Sequence, residues 1–255
     1  LTLNFQFGSD GSTESTVGFG ALSAAYDQFA DPNFVDVALV LGGKSVGGTY
    51  GEQSGNYLID NVTSTRKDCV AFITTPANTV VANSGATVGA ESTSVVTWAN
   101  AIRSSSYAVV TSGYKYQYDK YNDVYRYIPD NGDIAGLCAR TDADRDPWWS
   151  PAGYNRGQIK NLIKLSYNPK KQERDILYQA GVNPVVTTPG LGTVLFGDKT
   201  HLSLPSAFDR INVRRLFIVL EKAIATAARS LLFEFNDEFT RAQFVSIVTP
   251  FLRDI

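Results

Sequence analysis

Three short runs, residues 35–41, 69–74 and 107–110, are predominantly apolar on both of the faces that an extended chain presents. Such a strand leaves no side for water, so it belongs inside a sheet covered by helices above and below. Helical and loop patterns separate the runs. Residues 42–55 read as a glycine-rich loop, and residues 95–102 read as a helix preceded by the serine-rich cluster at 92–94. Short buried strands alternating with helical patterns predict an α/β fold. At 255 residues, with 44% hydrophobic and 19% charged, the chain can bury such a core in one large domain or two modest ones.

Composition narrows the function. A formal net charge of −2 argues against nucleic acid, whose backbone needs a concentrated basic surface. No apolar run approaches the eighteen or so residues of a membrane span, so no membrane insertion is expected. The two cysteines, Cys69 and Cys138, are expected as buried thiols in a reducing compartment: a zinc site wants four ligands, and the one histidine cannot complete the set. The chain has no methionine, residues 1–7 alternate as a strand from the first residue, and residues 8–15 read as a turn. The stripe Phe244, Ile247, Val248, Phe251 and Ile255 stops without a capping residue. These features lead us to expect the interior of a longer protein.

Two stretches stand apart. Tyr114, Tyr116 and Tyr118, then Tyr125 and Tyr127, alternate with other residues around Asn122-Asp123, which predicts a β-hairpin with a tyrosine-rich face. That face suits either stacking on sugars or lying against a neighbouring protein surface. The second is favoured, because tyrosine offers contact area at low entropic cost. From Ser206 the pattern is helical. Residues 206–209 have the form of a capping box, and Val213, Phe217, Leu220, Ile224, Ala227 and Leu231 follow at spacings of three and four. With Leu216, Ile218, Val219 and several alanines beside the stripe, this helix is apolar over more than half its circumference and is expected to pack on more than one side. Phe217, Leu220, Ile224 and Leu231 are its candidate core and assembly residues. A further helix is expected from near Asn236 to the chain end.

Several catalytic patterns are imitated without their chemistry. Residues 38–45 match a loose phosphate-loop pattern, but its variable positions are a buried strand and a second glycine-rich stretch follows where a helix should start. Asp142, Asp144 and Asp146 imitate a calcium loop that then meets Pro147 and Gly153 in place of its glycine and glutamate. The cluster is read instead as a solvated turn pairing with Arg140 and Arg145. His201, Ser206 and Asp209 lie close in sequence, yet no nucleophile elbow accompanies them. No catalytic, cofactor or metal-binding residue is therefore assigned.

Four stretches in order carry a resemblance: residues 128–136 (IPDNGDIAG) with 139–142 (ARTD); 148–153 (WWSPAG); 177–183 (LYQAGVN) continuing through 189–192 (PGLG) to 194–200 (VLFGDKT); and 210–215 (RINVRR) with the helix to 233–236 (FEFN) and Phe251-Leu252. Together they resemble the contractile tail sheath proteins of bacteriophages, of the T-even type. The likeness is specific over residues 107–255 and carries less signature before that. It implies a subtilisin-like mixed α/β core without catalytic residues, with the hairpin peripheral, over residues 1–185. Residues 186–255 would begin a truncated C-terminal sheath domain. It also implies a virion protein that needs no cofactor. Its partners would be copies of itself, the tail tube protein, and the baseplate and tail terminator proteins. The competing readings are a degenerate subtilisin-fold hydrolase and a tyrosine-rich carbohydrate-binding module.

Overall fold

A computed structural model describes residues 17–81 and 89–255 of the chain; the expected strand at 1–7 and turn at 8–15 lie outside them. Among the described residues, four strands form a parallel sheet in the order β1 (Leu39–Leu41), β2 (Val70–Thr74), β3 (Ala108–Thr111), β7 (Val182–Asn183). Every residue of β2 and β3 is buried, as runs with two apolar faces require.

The side chains alternate between two cores. Ala71, Ile73, Ala108 and Val110 face one layer, and Val70, Phe72 and Val109 face the other. The first layer is covered by a helical segment that runs from α2 (Gln53–Tyr57) through a π-helical turn (Leu58–Thr63) into α3 (Ser64–Arg66). The short α4 (Ala77–Val80), α5 (Ala90–Ala99), α7 (Lys171–Gln179) and Tyr26 of α1 (Phe19–Asp27) complete it. The widened π turn lays Leu58, Ile59, Val62 and Thr63 all inward. The second layer is covered by α6 (Asn131–Asp144) and α8 (Ile211–Ala228) through Ile134, Leu137, Cys138, Ile211 and Ile218. Each fully buried aliphatic side chain here contributes about 1.5–3 kcal/mol.

β4 (Tyr114–Asp119) and β5 (Val124–Pro129) form the expected hairpin, joined on the β4 side by β6 (Lys164–Leu165). β8 (Val185–Thr188) and β9 (Gly192–Leu195) make a second hairpin. A 3-10 turn (Ala207–Asp209) precedes α8, another (Arg229–Leu231) follows it, and α9 (Glu238–Asp254) closes the chain. No helix among the described residues is long and apolar enough to cross a membrane.

Several boundaries differ from expectation for identifiable reasons. The strand expected at 35–41 covers only Leu39–Leu41. The buried guanidinium of Arg66 donates to the carbonyls of Phe29 (2.7 Å) and Val35 (2.8 Å), holding that stretch to a side chain instead of to a ladder. The helix expected at 95–102 runs from Ala90 to Ala99, so serines 92 and 94 lie inside it. Ser206 does cap a helix, accepting from the Phe208 N–H, but it is the 3-10 turn and not α8. The acidic cluster is no solvated turn paired with its own arginines. Asp142 sits on the last turn of α6 and accepts from Arg215 of α8 (2.5 Å), while Arg140 donates to the carbonyls of Arg156 and Gln158. Cys69 and Cys138 are free, buried thiols in cores on opposite faces of the sheet, each pushed up to about 12 by burial.

Candidate assembly surface

The hairpin register puts Tyr116 opposite Tyr127 and Tyr118 opposite Tyr125. With period-two alternation the four rings share one face and form a continuous ladder. Ring centroids lie 4.7 Å apart for Tyr116–Tyr127, 5.6 Å for Tyr116–Tyr125 and 5.1 Å for Tyr118–Tyr125. The Lys164 ammonium lies 5.3 Å from the centre of the Tyr116 ring. Exposure grows toward the tip. Tyr114 is buried in the core beneath the sheet, whereas Tyr118 and Tyr125 are 45% and 56% exposed. Asp123 takes a positive φ of 53° at the turn, where its carboxylate accepts from the Tyr118 hydroxyl (2.6 Å). That bond to a carboxylate raises the Tyr118 phenol above its ordinary value. At the base, Lys115 donates to Asp133 of α6 (2.8 Å), tying the ladder to the body.

The second surface is α8 with α9. The inward face of α8 is Ile211, Arg214, Arg215 and Ile218, at the i, i+3, i+4, i+7 spacing of one helical face. Two of those four are arginines, which turned the sequence reading toward the wrong stripe. Arg215 is paired with Asp142, and the Arg214 guanidinium lies 4.3 Å from the Tyr107 ring centre and 4.0 Å from that of Phe208. Phe217, Leu220, Ile224 and Leu231 are therefore not core residues: Phe217 is 39% exposed, resting edge-on against Phe208, and the other three are half-buried. Among the described residues only Ile211, Arg214, Arg215 and Ile218 of α8 are buried, while its other faces meet Phe208, Asp36 and α9 without being closed over.

Beyond α8 the apolar surface widens. Leu232, Phe233, Phe235 and Phe239 are all largely exposed, and no residue of α9 is buried among the described residues. Phe233, with a positive φ of 70°, points wholly into solvent. So many exposed large apolar side chains close together in the chain are what a surface covered by another protein would present. Phe233 and Phe235 entered the sequence reading only as part of the family signature at 233–236, and Leu232 and Phe239 not at all as exposed residues, although their clustering in LLFEFNDEF is visible there.

His201, Ser206 and Asp209 do not assemble into a hydrolytic triad. Both ring nitrogens of His201 face backbone carbonyls, Ala99 O at 3.1 Å and Gly181 O at 3.3 Å. Ser206 caps its turn and Asp209 pairs with Arg210. The phosphate-loop imitation runs from β1 into a loop, with no helix until Gln53. Among the described residues no three His, Cys, Asp or Glu side chains gather as metal ligands would.

The model of the phage tail sheath protein central domain matches residues 55–201, more than half of the chain. The tail sheath protein of Vibrio phage KVP40 is 45% identical over 265 aligned residues, which cover 98% of this chain and 39% of that protein. The tail sheath protein of Enterobacteria phage T4 is 44% identical, covering 95% of this chain and 38% of that protein. The chain thus spans about two-fifths of the length of these relatives. In fold it is similar to the helical sheath of the anti-feeding prophage in its contracted state (TM-score 0.67, 20% identity, 92% of this chain and 58% of that one). It is also similar to the contracted sheath complex of the extracellular contractile injection system PVC (TM-score 0.63, 18% identity, 92% and 64%). On the identity and coverage of these relatives, the chain belongs to the phage tail sheath protein family.

Proposed function

We propose that the chain is the central part of a structural subunit that polymerises helically around a phage tail tube and contracts to drive the tube through the host envelope. The observation that carries this reading is family membership over nearly the whole chain at 44–45% identity. The open apolar surface of α8 and α9 supports it independently. In this subunit residues 1–185 form the sheath core, a subtilisin-like arrangement supported by the parallel sheet with helices on both faces. Residues 186–255 begin the C-terminal sheath domain, and their root, Leu195, Ile211 and Ile218, is sunk in that core.

The subunit works in the virion as a non-enzymatic element; the backbone-locked ring of His201 supports that reading. Copies pack head to tail, so the contact repeats along a helix without closing. The extended sheath is a kinetically trapped state, released at the baseplate. The work of contraction comes from new contacts between copies, with no cofactor called for. The tail tube, baseplate and tail terminator proteins are its further partners.

High-speed sedimentation of the full-length protein tests the surface. Wild type should pellet as polymer, whereas Phe217→Asp should stay in the supernatant as a folded subunit. Pelleting of Phe217→Asp to the wild-type extent would remove the outer face of α8 from the assembly contacts.

A further inference from the structure

In open α/β sheets the crevice at the carboxyl ends of the strands is where ligands are taken. Here that position is filled from within. Thr74 and Thr111 are the last residues of β2 and β3, and between them lies Asp130, 1% exposed, at the start of α6. Asp130 Oδ1 accepts from the Thr111 hydroxyl at 2.5 Å and the Thr74 hydroxyl at 3.2 Å. Thr74 Oγ1 accepts in turn from the Asn131 N–H (3.1 Å). The Asp130 N–H donates to Gly113 O (3.2 Å), and Asp130 O accepts from the Ile134 N–H (3.0 Å). Asn131 Nδ2 donates to Gly43 O (2.7 Å) in the loop after β1. Three strand ends thus converge on the first turn of α6.

The hydrogen bonding of the carboxyl is one-sided. Among the described residues Oδ2 has no hydrogen-bond partner and no Lys, Arg or His forms an ion pair with the group. The charged group facing it on its own helix is Asp133, which Lys115 of β4 already pairs. From the segment before α7 it is faced by the phenol of Tyr167, itself buried beside Ser112 and Ser92, with Glu173 of α7 beyond. An isolated buried carboxylate is costly, and a neutral carboxylic acid far less so. Burial accordingly pushes Asp130 up to about 7, against the pull of the Thr111 and Thr74 hydroxyls and with a push from Asp133.

We propose that Asp130 is a proton-binding site built into the sheath core, whose neutral acid pins β2 and β3 to α6 and whose ionisation loosens the first turn of that helix. The pinned state binds the proton more tightly than the open state, whose carboxyl titrates near its ordinary value, so protection is complete below about pH 4 and falls steadily as pH rises to about 7, where it is lost. α6 also carries Asp142, the partner of Arg215, so the proton state reaches the helix that holds α8.

Hydrogen exchange of the chain, corrected for intrinsic rates, tests this at the Ile134 amide. Between pH 6 and pH 8 wild type should lose about tenfold in protection there, and Asp130→Asn should lose none. An unchanged slope in Asp130→Asn, or a flat wild-type profile, would overturn the proposal. Should Asp130→Asn not fold, carboxyl-carbon NMR of wild type decides. A resonance for Asp130 titrating between pH 6 and 8 supports the site, and one titrating near pH 4 refutes it.

Discussion

Arg215 shows how a single residue decides the way α8 sits. Its side chain is 5% exposed, while its partner Asp142 retains 32%. Removing one partner of a fully buried pair costs about 3–5 kcal/mol, and the partial exposure of Asp142 brings that toward about 2 kcal/mol. Arg215→Ala should therefore lower the melting temperature by about 4–8 °C, read by calorimetry. A change under one degree would mean that Ile211 and Ile218 alone seat the helix. At this scale the sequence was hardest to read. An arginine at i+3 or i+4 of an apolar stripe looks like a solvent-facing residue, and only the tertiary partners, Asp142 and the rings of Tyr107 and Phe208, turn it inward. Asp142 was misread for the same reason, because its partner lies seventy-three residues away.

Elements were more legible, to the degree that local pattern sets them. β2 and β3 came through nearly residue for residue, since five consecutive buried positions leave a strand no alternative. The hairpin came through with its turn and its aromatic face, because alternation and the Asn122-Asp123 pair are both local signals. α6 and α7 were missed as helices: residues 128–142 and 177–183 served as family signatures, Asp142 and Asp144 were read as part of a turn, and α6 opens on Asn131 and Gly132, which mask its period. The assignment of the α8 faces yields a contrast in variants. Ile218→Asp places a charge in the core and should abolish soluble, cooperatively melting protein. Tyr125→Ala removes a ring that is 56% exposed, and should shift stability by no more than about 1 kcal/mol. Thermal melts of both, side by side, check the contrast; a strongly destabilised Tyr125→Ala would make the ladder a folding element instead of an outward surface.

At the scale of the molecule, an α/β body closed on both faces of its sheet carries an apolar extension that the body leaves open. Interior order and exterior exposure of this kind suit a subunit whose free energy of assembly lies in contacts with other chains. The fold class and the family were both legible in the sequence, the first from two-faced strands and the second from four ordered stretches. The apolar knob at 232–239 was not, because a helical period describes which residues share a face and says nothing about what covers it. Self-assembly of the complete protein as a sheath subunit is open to negative-stain electron microscopy of the full-length protein expressed without other tail components. Hollow tubes built from helically stacked subunits are expected, and persistent monomers at high protein concentration would rule self-assembly out.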